Sequence, residues 1–241
     1  MLEVKKNKAK FMIRDSYSQQ WFDKNINLGN WESYTFDIID KFTNKDKIYI
    51  DIGAWIGPTV LYASTLSKNV FCFEPDPIAL KRLKDNIDCN KINNICVIDK
   101  CLSDKIETTK FGGRGPLGNS ASTMLLSEHS NKNDVVTVQC ITFEKFISDN
   151  NINLHDISLI KMDIEGGEKI VIPSMMSYFK KHNIKIPLYI SLHWKPLTKE
   201  DINNILTLLF DHYNNCFLRD LKTKVNIDDI VNKGYGGIIF N

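Results

Sequence analysis

Short apolar runs broken by polar turns dominate the hydropathy pattern. The first covers residues 48–50 and ends at Asp51; a glycine turn follows with Gly53 and Gly57. Pro58 then suits the first turn of a helix, where a missing N–H costs nothing. A second run, 70–73, ends at Glu74, and Asp76 with Pro77 opens a helix carrying Leu80, Leu83 and Ile87 on one face. Further strands are expected over 94–98, 135–141, 187–192, 215–220 and 236–240, and from 157 toward Asp163 and Glu165. Helices are expected over 143–147 and after Thr198, which with Asp201 resembles a capping box ahead of Ile202, Ile205, Leu206 and Leu209. Residues 1–46 read as a polar, mostly helical preface packed on a main domain of residues 47–241.

Apolar strands alternating with helices predict an α/β fold with a mainly parallel sheet covered on both faces. In such sheets ligands bind past the carboxyl ends of the strands. Asp51, Glu74, Asp163 and His193 all occupy such ends, so four polar groups are expected to converge on one crevice.

Composition narrows the field. With 241 residues, 31 basic and 29 acidic, the formal charge is only +2, which argues against a strongly basic nucleic-acid surface. Six cysteines include no Cys-x-x-Cys pair, so neither a disulfide scaffold nor a zinc site is expected. Neither a secretory apolar core nor a membrane-length stretch is visible, which points to a reducing, cytoplasmic setting.

From Gly53 to Glu74 is 21 positions, the spacing at which an acid reaches the two hydroxyls of a ribose. A dinucleotide turn needs a second glycine where this chain has Trp55, and an indole there would crowd a diphosphate. S-adenosylmethionine has no phosphate and tolerates the substitution. Ser103 and Asp104, after the third strand, are placed to touch an adenine or simply to form a turn. The glycine-rich stretch 111–133, with Arg114 as its one strong anion-binding side chain, reads as a lid, a binding loop or disorder.

Tyr49-Ile-Asp-Ile-Gly-Ala-Trp-Ile-Gly57, Phe73-Glu-Pro-Asp-Pro77 and Ile160-Lys-Met-Asp-Ile-Glu-Gly-Gly-Glu168 together resemble FkbM-type methyltransferases. The resemblance spans roughly residues 45–195. It implies a Rossmann-like, seven-stranded class I methyltransferase fold, with its last strand antiparallel at the sheet edge. It also implies S-adenosylmethionine as cofactor, S-adenosylhomocysteine as product, and a hydroxyl of a sugar, glycan or small metabolite as acceptor. Asp51, Gly53, Ala54, Trp55 and Gly57 then match the turn around the amino-acid tail, and Glu74 with Pro75 the ribose-binding acid.

Methyl transfer to an alcohol needs alignment and removal of the hydroxyl proton. His193 is the first candidate base, Asp163 the second, with Glu165 and Glu168 positioning Asp163 or capping a helix. Lys161 shares a strand side with Asp163, so it is expected to pair with an acid near the site. His129, His155, His182 and His212 read as solvated. Asp163, Glu165 and His193 also have the types to hold a divalent ion, but no spacing compels one, and metal is not expected. An RNA ribose 2′-hydroxyl is the rival acceptor and a non-catalytic nucleoside-binding protein the rival class; neither nucleic acid nor membrane is expected as a partner.

Overall fold

The chain opens with an antiparallel hairpin of β1 (Leu2–Lys6) and β2 (Ala9–Ile13), in a computed structural model that describes residues 1–113, 115–126 and 134–241. Val4, Ala9, Phe11 and Ile13 point inward while Glu3, Lys5 and Lys10 face solvent. The expectation of a mostly helical preface is therefore corrected: helix begins only at α1 (Ser16–Phe22), runs on through a π-helical stretch Asp23–Asn27, and resumes as α2 (Ser33–Phe42). The strand signal was the strict two-residue alternation of apolar side chains, hidden among lysines.

Next come β3 (Ile48–Ile52), α3 (Pro58–Ser64), β4 (Asn69–Phe73), α4 (Pro77–Asp88) and β5 (Ile95–Ile98). Four strands then form a separate small sheet in the order β6-β9-β7-β8: β6 (Cys101–Ser103), β7 (Thr108–Gly113), β8 (Ser122–Thr123) and β9 (Val136–Thr142). The remaining elements are α5 (Phe143–Asp149), β10 (Ile157–Met162), α6 (Glu168–Lys181), β11 (Leu188–Ser191), α7 (Lys199–Phe210), β12 (Cys216–Leu218), α8 (Ile227–Lys233) and β13 (Gly237–Phe240).

Seven strands pair in the order β12-β13-β11-β10-β3-β4-β5. The four pairings from β11 to β5 are parallel, but β13 runs antiparallel to both of its neighbours. The sheet is therefore mixed rather than mostly parallel. The reversed strand lies inside it, between β11 and β12, instead of at the edge.

Strand parity divides the core into two layers. Ile48, Ile50 and Ile52 face Val171 and Met175 of α6 and Leu206 of α7. Tyr49 and Leu159 face the other way, among Ile38 of α2 and Leu61 of α3. Each such side chain contributes about 1.5–3 kcal/mol on full burial, so parity fixes which face every strand residue occupies. Helix ends obey the side-chain signals: Asp76 caps α4, and Thr198 with Asp201 closes a capping box on α7. Among the described residues no helix is long and apolar enough to cross a membrane.

Candidate active site

At the carboxyl ends of β3, β4 and β10 the backbones close on one another. Asp163 N–H donates to Ile52 O at 2.9 Å, and Ala54 N–H to Phe73 O at 3.0 Å. Gly53 turns here with φ +93°, and a Cβ on it would lie 2.0 Å from the Asp163 carbonyl oxygen. Only glycine fits that approach. Two adjoining cavities open above this junction.

The first, of about 550 Å³, is lined by Gly53 and Trp55, by Phe73, Glu74 and Pro75 at the end of β4, and by Lys100, Cys101, Leu102, Phe111 and Met124. Two acids, Glu74 and Asp163, therefore stand beside an apolar slot. Glu74 is 6% exposed; its Oε2 accepts from the Trp55 N–H at 2.6 Å and its Oε1 from the Asp76 N–H at 2.8 Å. Burial pushes its pKa up to about 8, against the two backbone N–H groups, which favour the anion. Asp76 is a cap, as its type suggested, and more. Its Oδ1 accepts from Ile78 and Ala79, while its Oδ2 accepts from the Gly118 N–H at 2.7 Å and from Ser122 Oγ at 3.1 Å.

The second cavity, of about 760 Å³, mixes Trp21, Trp31 and Trp55 with Glu32, Lys161, Asp163, Glu165, Ser191 and His193. It shares Gly53, Trp55, Ser120 and Asp163 with the first. Glu32, Trp55 and Glu165 hold φ of +41°, +49° and +52°, in the left-handed region. Such backbone costs of order 1–3 kcal/mol per residue and concentrates where function demands it. The indole of Trp55 meets Trp21 edge-on at 4.8 Å between centroids and donates its Nε1–H to Gly118 O at 2.9 Å.

A charge network forms the floor. Lys161 Nζ lies 3.2 Å from Asp51 Oδ1 and 3.7 Å from Asp163 Oδ2. Burial works against the Lys161 charge, but Asp51 and Asp163 outweigh it and hold the ammonium above the ordinary lysine range. Asp163 is likewise opposed by burial, yet Lys161 and His193 bring its pKa below the usual carboxylate value. His193 Nε2 lies 3.3 Å from Asp163 Oδ1 and 3.3 Å from Glu165 Oε1, and its Nδ1 lies 3.0 Å from Glu168 Oε1. Burial disfavours its charge, but these three carboxylates push its pKa up to about 12. Across the cavity, burial and then Asp163 raise the pKa of Glu32.

A profile described as the methyltransferase FkbM domain matches residues 51–216, more than half of the chain. The chain belongs to the FkbM methyltransferase family. The matched segment, residues 51–216, is the methyltransferase domain of that family. Among solved structures, it is similar to methyltransferase FkbM from Methylobacillus flagellatus KT, at 17% identity over 95% of this chain and 56% of that one, with a TM-score of 0.49. A TehB-like SAM-dependent methyltransferase from Corynebacterium glutamicum matches at 14% identity over 93% and 94%, TM-score 0.48. An rRNA methylase from Streptococcus thermophilus matches at 21% identity over 28% and 40%, TM-score 0.27. This chain thus spans about half the length, or less, of the Methylobacillus and Streptococcus proteins. No curated protein matches it.

Within the FkbM domain the structure brings Glu74, Asp163, Glu165 and His193 to the two cavities, together with Gly53, Ala54, Trp55 and Pro75. Asp51 lines neither. Its carboxylate is wholly buried, accepting from Thr59 Oγ1 at 2.5 Å and Tyr49 OH at 3.0 Å besides pairing with Lys161. Position 51 follows the parity of Tyr49, which turns it beneath α3. Gly57 is the turn before α3, with φ +95°, and lies away from both cavities. Ser103 and Asp104 miss the cavities too. The expected polar turn is the strand β6, so Lys100, Cys101 and Leu102 reach the slot instead.

Glu168 holds His193 and the Ile164 N–H rather than Asp163. His212 is buried, with Nε2 2.9 Å from Ile184 O, contrary to the solvated expectation. Arg114 and His129, with part of the 111–133 stretch, lie outside the described residues. Trp21, Trp31 and Glu32 were absent from the sequence-derived site. Their aromatic and acidic types were visible, but nothing local marks a residue whose position comes from distant packing.

Proposed function

We propose that this methyltransferase O-methylates a hydroxyl of a sugar, a glycan or a related small metabolite. The carrying observation is the junction of two cavities at Gly53, Trp55, Ser120 and Asp163. One cavity suits a nucleoside: Glu74 is placed to accept from a ribose diol, and Leu102, Phe111 and Met124 suit a flat base. Bound there, S-adenosylmethionine would supply an electrophilic sulfonium methyl, whose carbon an oxygen lone pair attacks as the carbon–sulfur bond breaks and S-adenosylhomocysteine leaves. The other cavity suits a polyol, with tryptophan faces for its C–H groups and carboxylates for its hydroxyls.

Asp163 borders both cavities, so it orients the attacking hydroxyl toward the junction. The hydroxyl proton passes to the carboxylate set of that cavity, Asp163, Glu165 and Glu32. His193 is held between three carboxylates and positions them rather than serving as the base. The six cysteines are free thiols, which supports a reducing, cytoplasmic setting.

The test is transfer of an isotopically labelled methyl from S-adenosylmethionine to a panel of sugars, glycans and hydroxylated metabolites. A methyl ether is expected on one of them. Glu32→Gln should raise the acceptor KM while leaving S-adenosylhomocysteine affinity unchanged. Transfer to nitrogen or carbon acceptors alone would reject the reading, as would transfer to RNA alone.

A further inference from the structure

We propose that Asp163, Glu165 and His193 form a divalent-cation site on the wall of the acceptor cavity. One ligand atom from each residue lies within 4.8 Å of the others. His193 Nε2 is 3.3 Å from both Asp163 Oδ1 and Glu165 Oε1. Adjacent ligands of an octahedral ion with bonds of about 2.1 Å are separated by about 3.0 Å, so the two edges at His193 need to close by only a few tenths of an ångström, and the third lies within 4.8 Å. Two carboxylate oxygens and one imidazole nitrogen form a mixed donor set that suits a divalent transition ion such as Mn²⁺.

A second observation lies behind the first. Glu168, 0% exposed at the start of α6, has its Oε1 3.0 Å from His193 Nδ1. A carboxylate on the far nitrogen is the arrangement that fixes the tautomer and aim of a metal-binding histidine. The other oxygen of Glu168, Oε2, is buried with no hydrogen-bond partner among the described residues. Glu165 takes a left-handed φ of +52° ahead of Gly166, which brings its carboxylate back toward His193. Lys161 is engaged with Asp51 and the other oxygen of Asp163, leaving Oδ1 to this site.

Three protein ligands would leave an octahedral ion open positions, and all three residues line the second cavity. The catalytic use of the ion rests on the methyl-transfer reading; the ion site itself does not. A hydroxyl held by the ion becomes more acidic. With Asp163 and Glu165 committed as ligands, its proton goes to Glu32, on the same cavity.

Electron paramagnetic resonance of added Mn²⁺ tests the site in the full chain without cofactor, after chelator treatment and dialysis. Uptake of one Mn²⁺ per chain is expected. Glu165→Gln, in a partly exposed turn, should weaken it about tenfold or more, and Glu168→Gln, which touches no metal, by about 10–100-fold. Circular dichroism shows whether each variant is folded, and the Glu165 variant decides should the buried Glu168 variant fail to fold. No uptake by the native chain, or equal uptake by folded Glu165→Gln, overturns the proposal. Calorimetry with S-adenosylhomocysteine in chelator is the separate readout: binding intact without Mn²⁺ uptake sinks the cation site alone, and Mn²⁺ uptake without nucleoside binding sinks the methyl-transfer reading.

Discussion

Glu74, buried and held by two backbone N–H groups, governs the pH behaviour of the first cavity. Glu74 has its pKa pushed up to about 8 by burial, so at pH 7 it is largely neutral in the free protein. A ribose diol needs an acceptor, and a sulfonium brings positive charge nearby; both favour the anion. Binding of S-adenosylmethionine at pH 7 should therefore release a proton, seen as a calorimetric enthalpy that changes with the buffer's ionisation enthalpy. A buffer-independent enthalpy would contradict this. For the free protein the sign is opposite: a carboxyl with a raised pKa adds stability that is complete below its unfolded value and lost as pH rises through about 8.

Lys161 and Asp51 behave differently, since each compensates the other, with side chains 4% and 0% exposed. Lys161→Met leaves the Asp51 charge buried without its cation and should cost about 3–5 kcal/mol in urea unfolding. At this scale the sequence was a good guide wherever a residue ends a strand, as Glu74, Asp163 and His193 do. It misled at Asp51, where one step of parity separates an acid in a cavity from an acid under a helix.

Among the elements, the turn after β3 bears the tightest constraint. Gly53→Ala would combine a positive φ with a Cβ 2.0 Å from a backbone oxygen. The conformation alone costs of order 1–3 kcal/mol, and the clash pushes β3 away from β10, which should abolish S-adenosylhomocysteine binding in calorimetry even where the variant folds. The turn was legible because glycines and a proline at fixed offsets have few uses. So were α4 and α7, through Asp76 and the Thr198–Asp201 pair. Of the small sheet only β9 was legible, through the alternation over 135–141; β6, β7 and β8 were not, because they are short and lie in or beside a glycine-rich stretch that carries no alternation of its own. The opening hairpin could have been found: Val4, Phe11 and Ile13 keep strand spacing, but the lysines between them suggested a solvated end.

In the whole molecule, chemistry and recognition come from different stretches. Gly53, Glu74, Asp163 and His193 lie inside the residues matched by the family profile, 51–216, whereas Trp21, Trp31 and Glu32 lie before it. The matched segment thus lines the first cavity, and the residues before it add Trp21, Trp31 and Glu32 to the wall of the second. The consequence is a separation of parts: preference among acceptors should follow the lead-in, and affinity for the methyl donor should not. Grafting residues 1–46 from another member onto this chain should move preference among acceptors toward the donor's, measured by competition between two labelled sugars, while leaving nucleoside affinity as it was.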